Sequence, residues 1–110
     1  MFTFIELQGF SKRRHELLPD DEFRVFQEML INDPESGNII AGTGGFRKIR
    51  WNRAGMGKRS GIRVIYYHVT LSGRIYLALI YSKNDRDDLT EVQKKVLKQL
   101  SAVLRPYDSL

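Results

Sequence analysis

The residues able to do chemistry here are Lys and Arg. From Ser36 to Asn84 the chain has no Asp or Glu, yet it carries nine cations: Arg47, Lys48, Arg50, Arg53, Lys58, Arg59, Arg63, Arg74 and Lys83. The whole chain has 18 basic and 13 acidic residues, so the remainder is net acidic. A concentrated basic zone is the footprint expected for a polyanion partner, RNA or DNA above all. The bland alternative is a solvated basic surface. Cations on a sheet can bind RNA passively. They can also hold a scissile phosphate and stabilise charge as a 2′-hydroxyl attacks it. A Lys among other cations has its charged form disfavoured and could serve as a general base.

Other chemistries lack their residues. There is no Cys, which excludes a disulfide framework, a zinc–thiolate site and a thiol nucleophile, and fits a reducing cytosol. His15 and His68 have no metal-ligand spacing, so no metal and no cofactor are expected. The acidic residues cluster at helix starts, and no serine triad is supported. Gly42-Thr43-Gly44-Gly45 lacks the Lys-Ser or Lys-Thr of a P-loop and precedes a strand rather than a helix. It reads as a flexible lead into that strand. No signal peptide is read at the N-terminus, and no apolar run approaches the ~18 residues of a membrane span. A soluble, cytoplasmic single domain over residues 1–110 is expected.

The elements that must position the cations follow from periodicity. Phe2–Glu6 reads as an N-terminal edge strand, broken by Gln8-Gly9. Phe10–Leu18 reads as a short helix with Lys12, Arg13 and Arg14 on its wet side. Pro19-Asp20-Asp21-Glu22 starts a second helix, with Asp20 as cap. Its apolar stripe is Phe23, Phe26, Leu30 and Ile31, and Asn32-Asp33-Pro34 ends it. Ile39-Ile40 is a short apolar run after a turn. Phe46–Asn52, Ile62–Val69 and Arg74–Tyr81 read as three strands of an antiparallel meander. Alternation puts Lys48, Arg50 and Asn52 on one face, against Arg47, Ile49 and Trp51. Arg53–Ser60 is a basic loop. Asp87, Asp88 and Thr90 sit where a helix cap is wanted, and Thr90 with Gln93 resembles a capping box. Val92, Val96, Leu100 and Val103 form a stripe expected to pack on the sheet, before Pro106 stops the helix. The expected class is α+β: a small, mostly antiparallel sheet with its helices on one face.

Three motifs now bear on identity: Gly44-Gly45-Phe46-Arg47-Lys48-Ile49-Arg50, then Gly61-Ile62-Arg63-Val64-Ile65-Tyr66-Tyr67, then Leu79-Ile80-Tyr81-Ser82-Lys83-Asn84 with Asp88-Leu89-Thr90 following. In this order the chain resembles the RelE superfamily of bacterial toxins, and most closely the HigB-type branch encoded beside a HigA-type antitoxin. The resemblance implies a RelE-like fold and the toxin of a type II toxin–antitoxin pair. It implies a ribosome-dependent, metal-independent mRNA interferase, an endoribonuclease that enters the A site of the 70S ribosome and cuts mRNA. That activity would inhibit translation and arrest growth. Lys48 and Arg50 match the family's paired basic residues, with Lys48 preferred as general base or charge stabiliser. Arg63 matches a phosphate-clamping position, and Lys83 the basic residue after the third strand. Asn84 stands where RelE-type toxins have an arginine, and the family's late Tyr or His acid has no obvious counterpart. Tyr81 is the candidate for a stacking ring or proton donor, with a buried strand Tyr as the alternative. Arg47, Arg53, Lys58 and Arg59 fit ribosomal RNA contacts. The other reading is a non-catalytic RNA- or ribosome-binding module of the same fold.

Overall fold

A computed structural model describes residues 2–52, 61–85 and 88–108. Along the chain come β1 (Thr3–Glu6), α1 (Gln8–Leu17), α2 (Asp20–Asn32), β2 (Asn38–Ile39), β3 (Arg47–Trp51), β4 (Ile62–Val69), β5 (Arg74–Ser82) and α3 (Glu91–Leu104), which closes with a 3₁₀ turn over Arg105–Asp108. The class is α+β. The sheet order is β1-β5-β4-β3-β2, with β1 parallel to β5 and the other pairs antiparallel. The expected meander is therefore present as β3-β4-β5, and β1 is an edge strand. The turn after Pro34 adds β2, a two-residue strand against β3 that the short Ile39-Ile40 run did not suggest. Among the described residues no helix is long and apolar enough to cross a membrane.

The alternation of β4 divides the core in two. Ile62, Val64 and Tyr66 pack with Phe10, Leu17 and Leu18 of α1 and its exit, and with Phe23, Phe26 and Leu30 of α2. Ile65, Tyr67 and Val69 pack with Phe46, Leu89, and Leu97 and Leu104 of α3. Helices thus cover both faces, which corrects the one-face expectation. A strand apolar on both sides needs a cover on each, and β4 is buried along nearly its whole length.

Two corrections concern α1 and α2. The strand ends before Gln8-Gly9 as expected, but helix α1 begins at Gln8, so these two residues already belong to the helix rather than preceding it. A Cβ on Gly9 would come within 2.7 Å of Leu79 Cδ2 and 3.0 Å of the Ala78 carbonyl, so only glycine lets the helix start lie this close to β5. Arg14 is buried, not on the wet side. Its guanidinium donates to Asp20 Oδ1 at 2.6 Å and to the Leu18 carbonyl at 3.3 Å, and sits 4.5 Å from the Phe23 ring centroid. Asp20 accordingly makes no cap bond: the N-cap is Pro19, and the Asp20 carboxyl is held below its ordinary value, first by the Arg14 hydrogen bond and then by its charge. In α2 the stripe Phe23, Phe26 and Leu30 is buried as expected, and Ile31 is exposed.

The glycine loop is packed rather than open. Thr43 is fully buried and donates to the Ile40 carbonyl at 2.7 Å. Gly44 has φ +75°, and a Cβ there would collide with Ser101 of α3. Arg105 donates to the Gly44 carbonyl from the helix end. The capping box of α3 is present in both halves, Thr90 to Gln93 and back. The apolar stripe of α3 is only partly the one expected. Leu97, Ser101 and Leu104 face the sheet and Leu100 packs against the same cluster, while Val92, Val96 and Val103 are exposed.

Candidate functional site

The strand register decides which cations meet. Arg50 lies directly opposite Arg63 across β3 and β4, and Arg63 directly opposite Tyr81 across β4 and β5. Directly opposed residues share a face, with Cβ atoms roughly 5 Å apart. The row Arg50–Arg63–Tyr81 therefore crosses three strands on the α3 side of the sheet. Lys48, opposite Ile65, stands on the same face one step along. Sequence alternation alone left the side of Arg63 open; the register puts it with Lys48 and Arg50.

The register is set by a bulge. Ile65 pairs with Leu79 but Tyr66 with Leu77, so Ala78 is the extra residue of β5. Bulges bend and twist a strand and re-aim the side chains beyond them. Here the Tyr81 end of β5 keeps its pairing with Arg63 while Ala78 and Leu79 both join the apolar cluster under α3.

The electrostatics of the row are unusual for a sheet. Arg63 is only 8% exposed, and among the described residues its side chain has no hydrogen-bond or ion-pair partner. Its cross-strand neighbour is another arginine. Like charges directly opposite each other destabilise a strand pair, and no Arg63 nitrogen is among the buried atoms that lack a partner, so the guanidinium keeps contact with solvent, where an anion can reach it. Arg50 is exposed and likewise has no partner among the described residues. Lys48 differs: its side chain is 23% exposed, and Nζ donates to Asp88 Oδ1 at 3.4 Å. Ser36, Asn38, Lys48, Ile49 and Arg50 line a polar cleft of about 320 Å³ at the β2–β3 edge.

The remaining candidates divide. Lys83 follows β5 directly, and its backbone N–H donates to the Gly61 carbonyl at 2.9 Å. That places it at the same end of the meander as Arg63 and Tyr81. Tyr81 is 4% exposed and belongs to the apolar cluster with Leu89 and Leu97. Arg47 is on the other face, opposite Tyr66. It donates to the Gly37 carbonyl at 2.8 Å and the Glu35 carbonyl at 3.2 Å, and pairs with the Glu35 carboxylate at 3.4 Å. Arg47 thus ties the turn before β2 to β3, as does Tyr66, whose hydroxyl donates to the Pro34 carbonyl and accepts from the Gly37 N–H. Arg53, Lys58 and Arg59 lie outside the described residues.

Asp88 is the site residue that sequence reasoning assigned elsewhere, to helix capping. Thr90 does the capping, which leaves the carboxylate two residues earlier for Lys48. Its place in the third motif, just ahead of a capping box, was the available signal. Among the described residues no group of three His, Asp or Glu could hold a metal ion. No protein-family model matches this chain.

Proposed function

We propose that the protein is a HigB-type toxin of the RelE superfamily that cleaves mRNA on the ribosome, with a HigA-type antitoxin as its cognate partner. The single observation that carries this reading is Arg63. It is an almost fully buried arginine facing a second arginine, without an internal acceptor among the described residues. Such an arrangement is costly in a resting sheet and becomes favourable when a phosphate is placed against it. Lys48 and Arg50 extend the same face, so one phosphodiester can be gripped from β3 and β4 together.

In the proposed reaction the 2′-oxygen bonds to the adjacent phosphorus and the bond to the 5′-oxygen breaks. The proton of the 2′-hydroxyl goes to a base, and the departing 5′-oxygen takes up a proton. The products are a 2′,3′-cyclic phosphate and a free 5′-hydroxyl. Arg50 and Arg63 stabilise the charge that builds on the phosphoryl oxygens, and Lys48 supplies the third positive group or the base.

One observation favours the second reading, a ribosome- or RNA-binding module without catalysis. Tyr81, the proton donor that the sequence offers, is packed in the apolar cluster. Expression of wild type alongside the Lys48→Ala, Arg63→Ala double variant separates the readings. The toxin reading requires growth arrest by the wild type and relief in the double variant. Salt-dependent RNA binding without new RNA ends in a translation extract would establish the binding module instead.

A further inference from the structure

The acid-free stretch ends before the chain supplies its own anion to the site. Lys48 reaches Asp88 at 3.4 Å, a contact spanning 40 residues of sequence. Asp88 is not a loosely placed surface acid. The next residue, Leu89, is 6% exposed in the cluster under α3, and the one after, Thr90, closes the capping box. A buried side chain and a helix cap therefore fix the backbone that presents the carboxylate. The carboxylate itself is open to solvent, with 73% of the side chain exposed. An ion pair with one exposed partner is weak, and a second anion can displace it.

We infer that Asp88 is a positioning residue of the anion site, an internal carboxylate that holds Lys48 in the resting protein and competes with RNA phosphate for it. This inference rests on the polyanion-binding reading of Lys48, Arg50 and Arg63. A phosphate seated against Lys48, Arg50 and Arg63 must displace Asp88 from Lys48 and gains the two arginines in exchange. The competition thus weakens the hold on any anion that meets Lys48 alone and costs less to one that meets all three cations.

The test is a double-mutant cycle read as RNA affinity. A single-stranded 2′-O-methyl oligonucleotide, which cannot be cleaved by 2′-hydroxyl attack, is titrated by fluorescence anisotropy at low salt. The proteins are wild type, Asp88→Asn, Lys48→Gln and the double variant, with Glu91→Gln as a matched loss of one negative charge nearby. Asp88→Asn should tighten binding by roughly 2–5-fold, more than Glu91→Gln does, and the gain should fade at high salt. Asp88→Glu should restore the wild-type value. In the Lys48→Gln background the Asp88→Asn gain should disappear. An equal gain in both backgrounds, a gain no larger than that of Glu91→Gln, or weaker binding would overturn the role of Asp88 while leaving RNA binding intact. Absence of RNA binding by the wild type would instead overturn the polyanion reading beneath it.

Discussion

Arg50 and Arg63 share one cross-strand pair, a place where folding alone would favour opposite charges or two apolar side chains. The arrangement trades stability for an anion site, and the trade can be measured. Arg50→Gln should raise thermal stability by about 0.2–1 kcal/mol, because it removes a like-charge opposition without touching the core. The same change should weaken RNA binding by roughly ten-fold or more, the scale of one lost charge-assisted contact. Thermal melting and RNA titration of the same preparation check both signs. A variant that loses stability together with affinity would show Arg50 to be structural. Arg14 is the opposite case of a buried arginine. Asp20, the Leu18 carbonyl and the Phe23 ring lie against it, so its charge is paired within the fold, although Nε is buried without a hydrogen-bond partner. Two buried arginines that look alike in composition are thus separated by what lies against the guanidinium.

At the scale of elements, the Arg14–Asp20 pair joins α1 to α2, and its contribution depends on pH. Asp20 has a folded-state value below the ordinary 3.8 of an unfolded carboxyl. Its stabilisation is therefore fully present above that value and is lost as pH falls through the folded one. Asp20→Asn should lower stability at neutral pH by an amount that shrinks as acid is added below about pH 4 and vanishes once both carboxyl states are protonated. Denaturation curves for the two proteins across pH give that difference directly.

Helix α3 shows why an amphipathic stripe can be misassigned. Val92, Val96, Leu100 and Val103 share one side of the helix, but Leu97 and Leu104 lie about 100° around from Val96 and Val103. The apolar arc is wide enough that spacing does not say which part the sheet takes. The small Ser101 lets the glycine loop come close, and that fixes the rotation. Leu97→Ala should cost about 2–5 kcal/mol, whereas Val96→Ala should stay within about 0.5 kcal/mol. Chemical denaturation of the two variants decides which face is structural. By contrast β4 was legible over its full length, because a run such as Ile62–Val69 is long, β-branched and aromatic on both faces. The two-residue β2 carries too few side chains for alternation to register, and it exists because Arg47 and Tyr66 hold the preceding turn.

On the scale of the whole molecule, a meander covered by helices on both faces leaves one end of the sheet with a converging set of charges. Lys48, Arg50 and Arg63 were readable as basic residues on strands. Their convergence was not, because one residue of slip would send Arg63 to the opposite face. The contact between Lys48 and Asp88 was hidden for a different reason: it joins two elements through the β5–α3 connection, and no local pattern encodes it. The motifs and the charge placement rest on the same residues, Lys48, Arg50 and Arg63; charge placement points to a polyanion site, and the toxin proposal comes from the resemblance.

Primer extension on an mRNA added to a bacterial translation extract tests that proposal most directly. The account predicts new 5′-hydroxyl ends in the presence of the wild-type protein. They should appear only when the message is being translated, and should be lost in the folded Lys48→Ala, Arg63→Ala variant. Messages left intact by the wild type, or cut equally well by the double variant, would contradict it.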